Sequence, residues 1–280
     1  MQRSERLIRL TQLLVERPLQ ALSLAHLSEA WGIAKSSLSE DVAAIRKTLA
    51  EAQRGIVETS VGAQGGVRFH SGVPMSEASQ FLDELAHKLS KPDRVLPGDF
   101  VYLSDVLGDP HVLDTVGRLV SMQYANKGIN VVVTVETKGI TLAAATARHL
   151  NVPIAIVRRD QRVTEGPTIS THYVSGSTRR IQTMSLGKRT IPPDARALIV
   201  DDFMRAGATA RAVEHLLKEF SATVVGTAVF MATSQPTHKM VNDYFALLRV
   251  HEVSEQGVHV EPATLIDIQN GSSALGDARA

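Results

Sequence analysis

From about residue 100 onward, short apolar runs alternate with longer amphipathic stretches. The apolar runs are residues 100–103, 129–136, 153–159, 195–202 and 223–232. This alternation predicts an α/β domain in which a mostly parallel sheet carries helices on both faces. Ligands of such sheets bind beyond the carboxyl ends of the strands, so the residues that follow each run are candidates for a binding site.

The beginning of the chain has a different rhythm. A helix is predicted where Leu38, Val42, Ile45 and Leu49 share one face, and Ser37 with Glu40 predicts a capping box at its start. A Gly-containing turn at 31–33 joins this helix to a shorter one, as in a helix-turn-helix unit. Residues 55–70 then alternate, turn on glycines and alternate again, which is typical of a two-stranded wing. The pattern favours a winged helix, although three-helix units also serve as purely structural modules.

A winged helix binds DNA through the start of its recognition helix and through its wing. The candidate contacts are Lys35, Ser36, Ser37, Ser39, Arg54, Gln64, Gly65, Gly66 and Arg68. Glu40 and Asp41, on the same helix, oppose phosphate contact unless they face away from the DNA. A segment rich in Gly, Pro and Ser at 71–74 predicts two domains, residues 1–73 and 74–280, with a disordered tail after about residue 270.

Composition narrows the class of protein. The 280 residues include no cysteine, which excludes a disulfide framework, a thiolate zinc site and a cysteine nucleophile, and fits a reducing cytoplasm. Charged residues interrupt the N-terminus, so we expect neither a signal peptide nor a membrane anchor. Because the formal net charge is only +1, affinity for nucleic acid has to come from local basic patches.

Two loops of the predicted α/β domain suit an anion. The run 129–136 is followed by Thr137, Lys138 and Gly139, and a lysine beside a helix N-terminus suits a group such as pyrophosphate. Alone, the same residues would also fit an ordinary solvated turn. The basic segment 158–189 contains two β-like pieces. It predicts a hairpin that folds over a multiply charged anion, a nucleic-acid patch or a simple surface hairpin.

The run 195–202 ends in two adjacent aspartates, Asp201 and Asp202, and a loop of small residues follows. In this loop, backbone N–H groups can converge on a phosphate at the start of the next helix. Adjacent carboxylates repel each other, but the vicinal hydroxyls of a ribose and a divalent cation on a diphosphate would stabilise them. Although an isolated Asp–Asp pair could be only a helix cap, the three loops together predict a site for a ribose that carries phosphates on both sides.

The sequence LIVDDFMRAGAT resembles the motif with which type I phosphoribosyltransferases bind 5-phosphoribosyl 1-diphosphate (PRPP). The segments VETKG and THYVSGSTRRIQTMSL lie where that family has its pyrophosphate loop and its flexible loop. With the predicted winged helix, residues 1 to about 270 resemble the purine operon repressors of the Gram-positive type. The resemblance implies a type I phosphoribosyltransferase-like domain preceded by a small winged-helix domain. That family usually has Lys at the position of Arg205 and Gly at the position of Ala208.

The resemblance also implies a function. The protein would be a homodimeric, non-catalytic repressor that binds operator DNA of purine-synthesis genes and releases it when PRPP binds, together with Mg²⁺. Guanosine tetraphosphate would compete for the same pocket. The implied effector contacts are Asp201, Asp202, Phe203, Arg205, Ala206, Gly207, Ala208, Thr209, Thr137, Lys138, Tyr102, Arg158 and Ser177. A catalytically active purine or orotate phosphoribosyltransferase with an accessory N-terminal module is the alternative.

Overall fold

The computed structural model describes residues 1–60, 66–98, 100–160, 166–174, 180–254 and 257–263. In chain order the elements are α1 (Arg3–Glu16), α2 (Leu24–Trp31), α3 (Lys35–Glu51), β1 (Gly55–Ser60), β2 (Gly66–Ser71), α4 (Met75–Leu89), β3 (Val95–Leu96), β4 (Phe100–Val101), α5 (Pro110–Tyr124), β5 (Val131–Val135), α6 (Gly139–Leu150), β6 (Ile154–Val157), β7 (Thr168–Val174), β8 (Ile181–Gly187), β9 (Arg196–Met204), α7 (Ala208–Lys218), β10 (Thr223–Thr233), β11 (Tyr244–Ser254) and β12 (Gly257–Pro262).

The N-terminal region has the elements of a winged helix. Helices α1 and α3 and the antiparallel pair β1–β2 share a core that includes Leu10, Leu38 and Phe69. The predicted stripe on α3 is confirmed, because Leu38, Val42 and Ile45 are buried. Gly32, at φ +65°, ends α2 in the left-handed conformation that favours glycine, and the turn then leads into α3.

The predicted capping box on α3 is wrong. The helix begins at Lys35, and Ala34 at its N-cap has no side chain that could accept a hydrogen bond. The amide of Leu38 already donates to the carbonyl of Ala34 over 3.2 Å, so the first turn closes before Ser37 could serve as a cap. Ser37 and Glu40 therefore lie inside the helix.

The C-terminal region is built on a six-stranded sheet in the order β12-β11-β10-β9-β5-β6. Only the β11–β12 pair is antiparallel, so the predicted mostly parallel sheet is confirmed. The prediction that residues 100–103 form a strand of this sheet is wrong. Only two of them are extended, and these pair with β3 in a separate hairpin. Strands β11 and β12, which the alternation did not predict, complete the sheet.

Helices cover both faces of the sheet. Val132 and Leu198 point into a core shared with α4, α5 and α6, whereas Val131 and Ile199 point into a core shared with α7 and β8. This alternation of neighbouring side chains is the two-residue period of a strand that is buried on both faces.

The two regions are in contact. The buried residues of their apolar clusters separate along the chain between Phe69 and Val73, near the predicted boundary, and Leu19 of the N-terminal region packs against the C-terminal cluster. Helix α4 packs on β12 and so belongs with the C-terminal sheet. None of the helices in the described ranges combines the length and the apolar character needed to cross a membrane. The predicted disordered tail, after about residue 270, lies outside the described residues, which end at residue 263.

Candidate functional site

A cavity of about 1010 Å³ lies at the carboxyl ends of β5 and β9. These strands are parallel neighbours, so the loops that follow them meet at one edge of the sheet. The sequence-predicted residues that line the cavity are Thr137, Lys138, Asp201, Asp202, Phe203, Arg205, Ala206, Gly207, Ala208 and Thr209. The loop that follows β5 and the loop that follows Asp201 and Asp202 therefore share one cavity.

The acidic pair is half-buried in the wall of this cavity. The amide of Asp202 donates to Oδ1 of Asp201 over 2.9 Å. Burial raises the pKa of Asp201 well above its usual range, and the charge of Asp202 adds to the effect, whereas the positive charge of Arg159 acts in the opposite direction. A partner that brings hydroxyl donors or a cation would therefore stabilise the ionised pair.

The small-residue loop turns at Gly207, whose φ of +85° is the left-handed conformation that glycine adopts readily. Helix α7 begins at the next residue, Ala208, and the amide groups of its first turn have no partner within the helix. Positive φ is required at Gly207 and not at Ala208. The glycine that the resemblance leads us to expect at position 208 is therefore not needed for a left-handed conformation, and Ala208 is compatible with the loop. The loop presents N–H donors suited to a phosphate.

Lys239 stabilises this loop through side-chain hydrogen bonds. Its Nζ donates to the carbonyls of Arg205 and Thr233, over 2.5 and 2.6 Å, and to the Thr233 hydroxyl over 3.1 Å. Burial lowers the pKa of Lys239, and the charge of Arg249 lowers it further. No sequence pattern indicates this role, because Lys239 belongs to a polar segment without periodicity.

The opposite wall is formed by the end of β5 and the start of α6. Thr137 and Lys138 are exposed at the cavity, and Gly139 begins the helix. Glu136 accepts a hydrogen bond from the backbone N–H of Arg159 over 2.8 Å. Arg159 and Asp160 also line the cavity, and neither was predicted to do so.

Two predicted effector contacts, Arg158 and Tyr102, are not among the residues that line the cavity. The Arg158 guanidinium is 3.2 Å from Glu136, and the side chain does not line the cavity. Tyr102 is also absent from the lining. The guanidinium of Arg94 lies over its ring, 5.8 Å from the ring centroid. Ser177 lies outside the described residues. The predicted hairpin is present as β7 and β8, and its described residues do not line the cavity.

Part of the cavity lining is apolar. Leu96, Pro97 and Phe100 come from the β3–β4 hairpin, and Val253 comes from β11. The side chains of Leu96 and Phe100 are 37% and 56% exposed, so part of their apolar surface is available to a ligand. The cavity lining thus combines polar loops with an apolar surface.

The candidate DNA contacts on α3 lie on its outer surface. Lys35, Ser36 and Ser39 are exposed, and Ser37 is half-buried. Asp41 is fully buried, where Arg3 Nε and Arg6 Nε lie 3.2 and 2.7 Å from its carboxylate. Its charge is therefore neutralised on the inner face of the helix and does not oppose DNA at the surface.

The predicted DNA contacts on and near the wing differ in their exposure and in their contacts. The guanidinium of Arg54 donates two hydrogen bonds, of 2.8 and 2.9 Å, to the carboxylate of Glu77 on α4. Arg54 is therefore already paired within the protein. Gly66 and Arg68 are half-buried on β2. Gln64 and Gly65 lie outside the described residues. Arg46, which was not predicted, links α3 to the wing through the Val57 carbonyl at 2.8 Å.

Comparison with known proteins identifies the family. Residues 2–71 match the model of the bacterial purine repressor N-terminal domain, and residues 104–263 match that of the phosphoribosyl transferase domain. The purine biosynthesis transcriptional repressor PurR of Bacillus subtilis is 43% identical over 270 residues, which cover 96% of this chain and 93% of that protein. This chain belongs to the PurR family. Another member, the purine biosynthesis transcriptional activator PurR of Lactococcus lactis, is 39% identical over 90% of this chain and 93% of its own length.

A solved structure confirms the fold of the C-terminal region of this PurR-family chain. Adenine phosphoribosyltransferase from Rhodothermus marinus superimposes with a TM-score of 0.52 at 23% identity, covering 61% of this chain and 98% of the enzyme. At this identity the likeness concerns the fold alone. The type I phosphoribosyltransferase-like fold predicted for this region is thus confirmed, and in this chain it follows the match to the purine repressor N-terminal domain.

Proposed function

We propose that this chain is a DNA-binding repressor of purine-synthesis genes, and that PRPP bound in the cavity releases it from operator DNA. The observation that carries the proposal is the convergence of the acidic pair, the α7 N-terminus and Lys138 on one cavity, in a chain that also has a winged helix. We take residues 1–73 as the DNA-binding domain and residues 74–280 as the effector-binding domain. The division of the apolar clusters between Phe69 and Val73 supports this boundary.

The site chemistry matches PRPP group by group. The hydroxyls of a ribose would donate to Asp201 and Asp202, the 5′-phosphate would accept from the amides that begin α7, and the diphosphate would meet Thr137 and Lys138. Carboxylate oxygens also suit Mg²⁺. Within the described ranges no three acidic or histidine side chains are grouped to hold a metal, so the diphosphate would supply the remaining ligands of the ion. Guanosine tetraphosphate presents the same ribose and phosphates and would compete.

DNA release would follow from linkage. A ligand that binds more tightly to the DNA-free arrangement lowers the DNA affinity by its own differential binding energy. We assign no catalytic role to the domain, because the relatives that match nearly the whole chain are named as transcriptional regulators. Tests with PRPP, Mg²⁺ and each common nucleobase should therefore yield no nucleotide. Formation of a nucleotide would favour the active phosphoribosyltransferase instead.

The central test is a DNA-binding titration with and without PRPP and Mg²⁺. For the parent protein we expect PRPP to raise the Kd for a purine-operon fragment. Asp201→Ala should bind the fragment normally and ignore PRPP, whereas Asp160→Ala, which removes an exposed carboxylate of the same cavity, should respond like the parent. An Asp201→Ala protein that responds as the parent does would overturn the site assignment. Light scattering of the same samples tests the proposed homodimer.

A further inference from the structure

Helix α6 joins the effector cavity to the winged helix. Its first residue, Gly139, lies against the acidic pair, since a Cβ placed there would sit 3.1 Å from Oδ1 of Asp201. Thr137 and Lys138, which immediately precede the helix, line the cavity. The helix has 12 residues and spans about 18 Å. One end of a short, rigid element is therefore part of the binding site.

The other end of α6 contacts the DNA-binding region at two points. Nδ1 of His149 lies 3.2 Å from the hydroxyl of Ser71, the last residue of the wing strand β2, in a buried contact. The guanidinium of Arg148 donates over 2.9 Å to the carbonyl of Glu16, the last residue of α1. Adjacent residues of one helix thus contact both the wing and the first helix.

The polar contact between His149 and Ser71 has a defined direction. Nε2 of His149 lies 3.0 Å from the carboxylate of Asp114 on α5, which can only accept, so Nε2 carries the proton. Nδ1 is then the acceptor, and the Ser71 hydroxyl donates to it. Burial lowers the pKa of His149, which is consistent with the neutral ring, although Asp114 opposes this shift. The positively charged guanidinium groups of Arg118 and Arg148 also face this ring and lower its pKa further.

Helix α6 is held firmly between these ends. Seven of its residues are buried, and a Cβ at Gly117 of α5 would lie 2.6 Å from the carbonyl of Ala145, so the two helices are closely packed. Because of this close packing, a displacement of Gly139 should move the helix as a unit rather than be absorbed by local rearrangement within it.

We propose that α6 transmits effector binding to the winged helix, with His149 and Arg148 as positioning residues that act through Ser71 and Glu16. This inference rests on the proposed function, because it names the path by which PRPP changes DNA affinity. Neither residue lines the cavity or belongs to the candidate DNA surface. Their removal should therefore change the coupling between the two ligands and leave each separate affinity intact.

The test uses the full-length chain and measures the ratio of DNA Kd values with and without saturating PRPP. His149→Gln keeps an amide donor for Asp114 and loses the acceptor for Ser71, whereas His149→Asn places an oxygen near the position of Nδ1 and keeps that acceptor. We expect the ratio to fall about fivefold, the factor that matches one hydrogen bond of ordinary net strength, in His149→Gln and Ser71→Ala. It should be largely retained in His149→Asn. Because Arg148 is exposed, Arg148→Ala should fold normally and should also lower the ratio.

Thermal unfolding and the separate affinities for DNA and PRPP distinguish loss of coupling from loss of structure. His111→Gln, at an exposed histidine on α5, is the control and should keep the parent ratio. A parent protein that ignores PRPP would overturn the proposed function and this inference with it. A parent that responds, together with His149→Gln, Ser71→Ala and Arg148→Ala proteins that respond equally, would overturn this inference alone.

Discussion

Replacement of Gly139 by alanine tests how tightly the acidic pair is built against α6. In a helix, alanine is more favourable than glycine by up to about 1 kcal/mol, so propensity alone predicts a more stable protein. The structure predicts the reverse. The added Cβ would collide with Oγ1 of Thr134, which is fully buried, and would lie 3.1 Å from Oδ1 of Asp201. Both neighbours are held in place, the first as a β-branched side chain with a restricted rotamer.

The magnitude follows from these two opposing effects. Overpacking of a well-filled core costs about 1–3 kcal/mol, which exceeds the gain in helix propensity. We therefore expect Gly139→Ala to lower the free energy of unfolding by about 1–2 kcal/mol, or roughly 2–8 °C in Tm for a domain of this size. Because the start of α6 must move away from Asp201, PRPP affinity should fall about tenfold. Calorimetric unfolding and PRPP titration measure the two quantities.

A second substitution checks the cause. Thr134→Ala removes the colliding hydroxyl, which has no hydrogen-bond partner in the described part of the structure. Combined with Gly139→Ala, it should restore much of the lost stability and PRPP affinity, because the new methyl group then fills the space of the old hydroxyl. A Gly139→Ala protein that is more stable than the parent and binds PRPP normally would refute this packing argument.

Further predictions concern charge and loop support. Asp201→Asn should raise the Tm of the ligand-free protein by a few degrees and abolish the PRPP response, because it removes a half-buried charge beside Asp202. The pKa of Asp201 is raised on folding, so the stability of the parent protein should fall as the pH increases from about 4 towards that raised pKa. This fall should be absent in Asp201→Asn and present in the control, Asp160→Asn. Lys239→Met should weaken PRPP binding at least several-fold with little change in DNA affinity, as titration of each ligand would show. Arg46→Ala should weaken DNA binding and leave PRPP binding unchanged, because the wing loses its hydrogen bonds to α3.

The acidic pair and its loop could be predicted because the signal is local. An apolar run that ends in Asp201 and Asp202 marks the carboxyl end of a buried strand, and parallel neighbours bring the loop at Lys138 to the same edge. The winged helix was predicted for the same kind of reason, since the stripe from Leu38 to Leu49 and the two wing strands each lie within one segment.

Features that depend on distant parts of the chain could not be predicted. Lys239 supports the small-residue loop only because the fold brings its Nζ to the carbonyl of Arg205, 34 positions earlier in the chain. The sequence at Asp41 suggests a repulsive surface charge, and only the fold pairs it with Arg3 and Arg6. Strand β11 follows a polar segment that interrupts the alternation of strands and helices, so the predicted pattern ended two strands too early, before β11 and β12.

The electrostatics of the cavity and the position of α6 support the same mechanism. In the ligand-free state the carboxyl group of Asp201 is destabilised as an anion by burial and by Asp202. A ligand that supplies hydroxyl donors or a cation would remove this penalty beside Gly139, the residue that begins α6. Linkage requires that binding energy differ between two arrangements of the protein. Helix α6 contacts the acidic pair at one end and Ser71 at the other. A difference in ligand-binding energy at the acidic pair can therefore change the position of the wing.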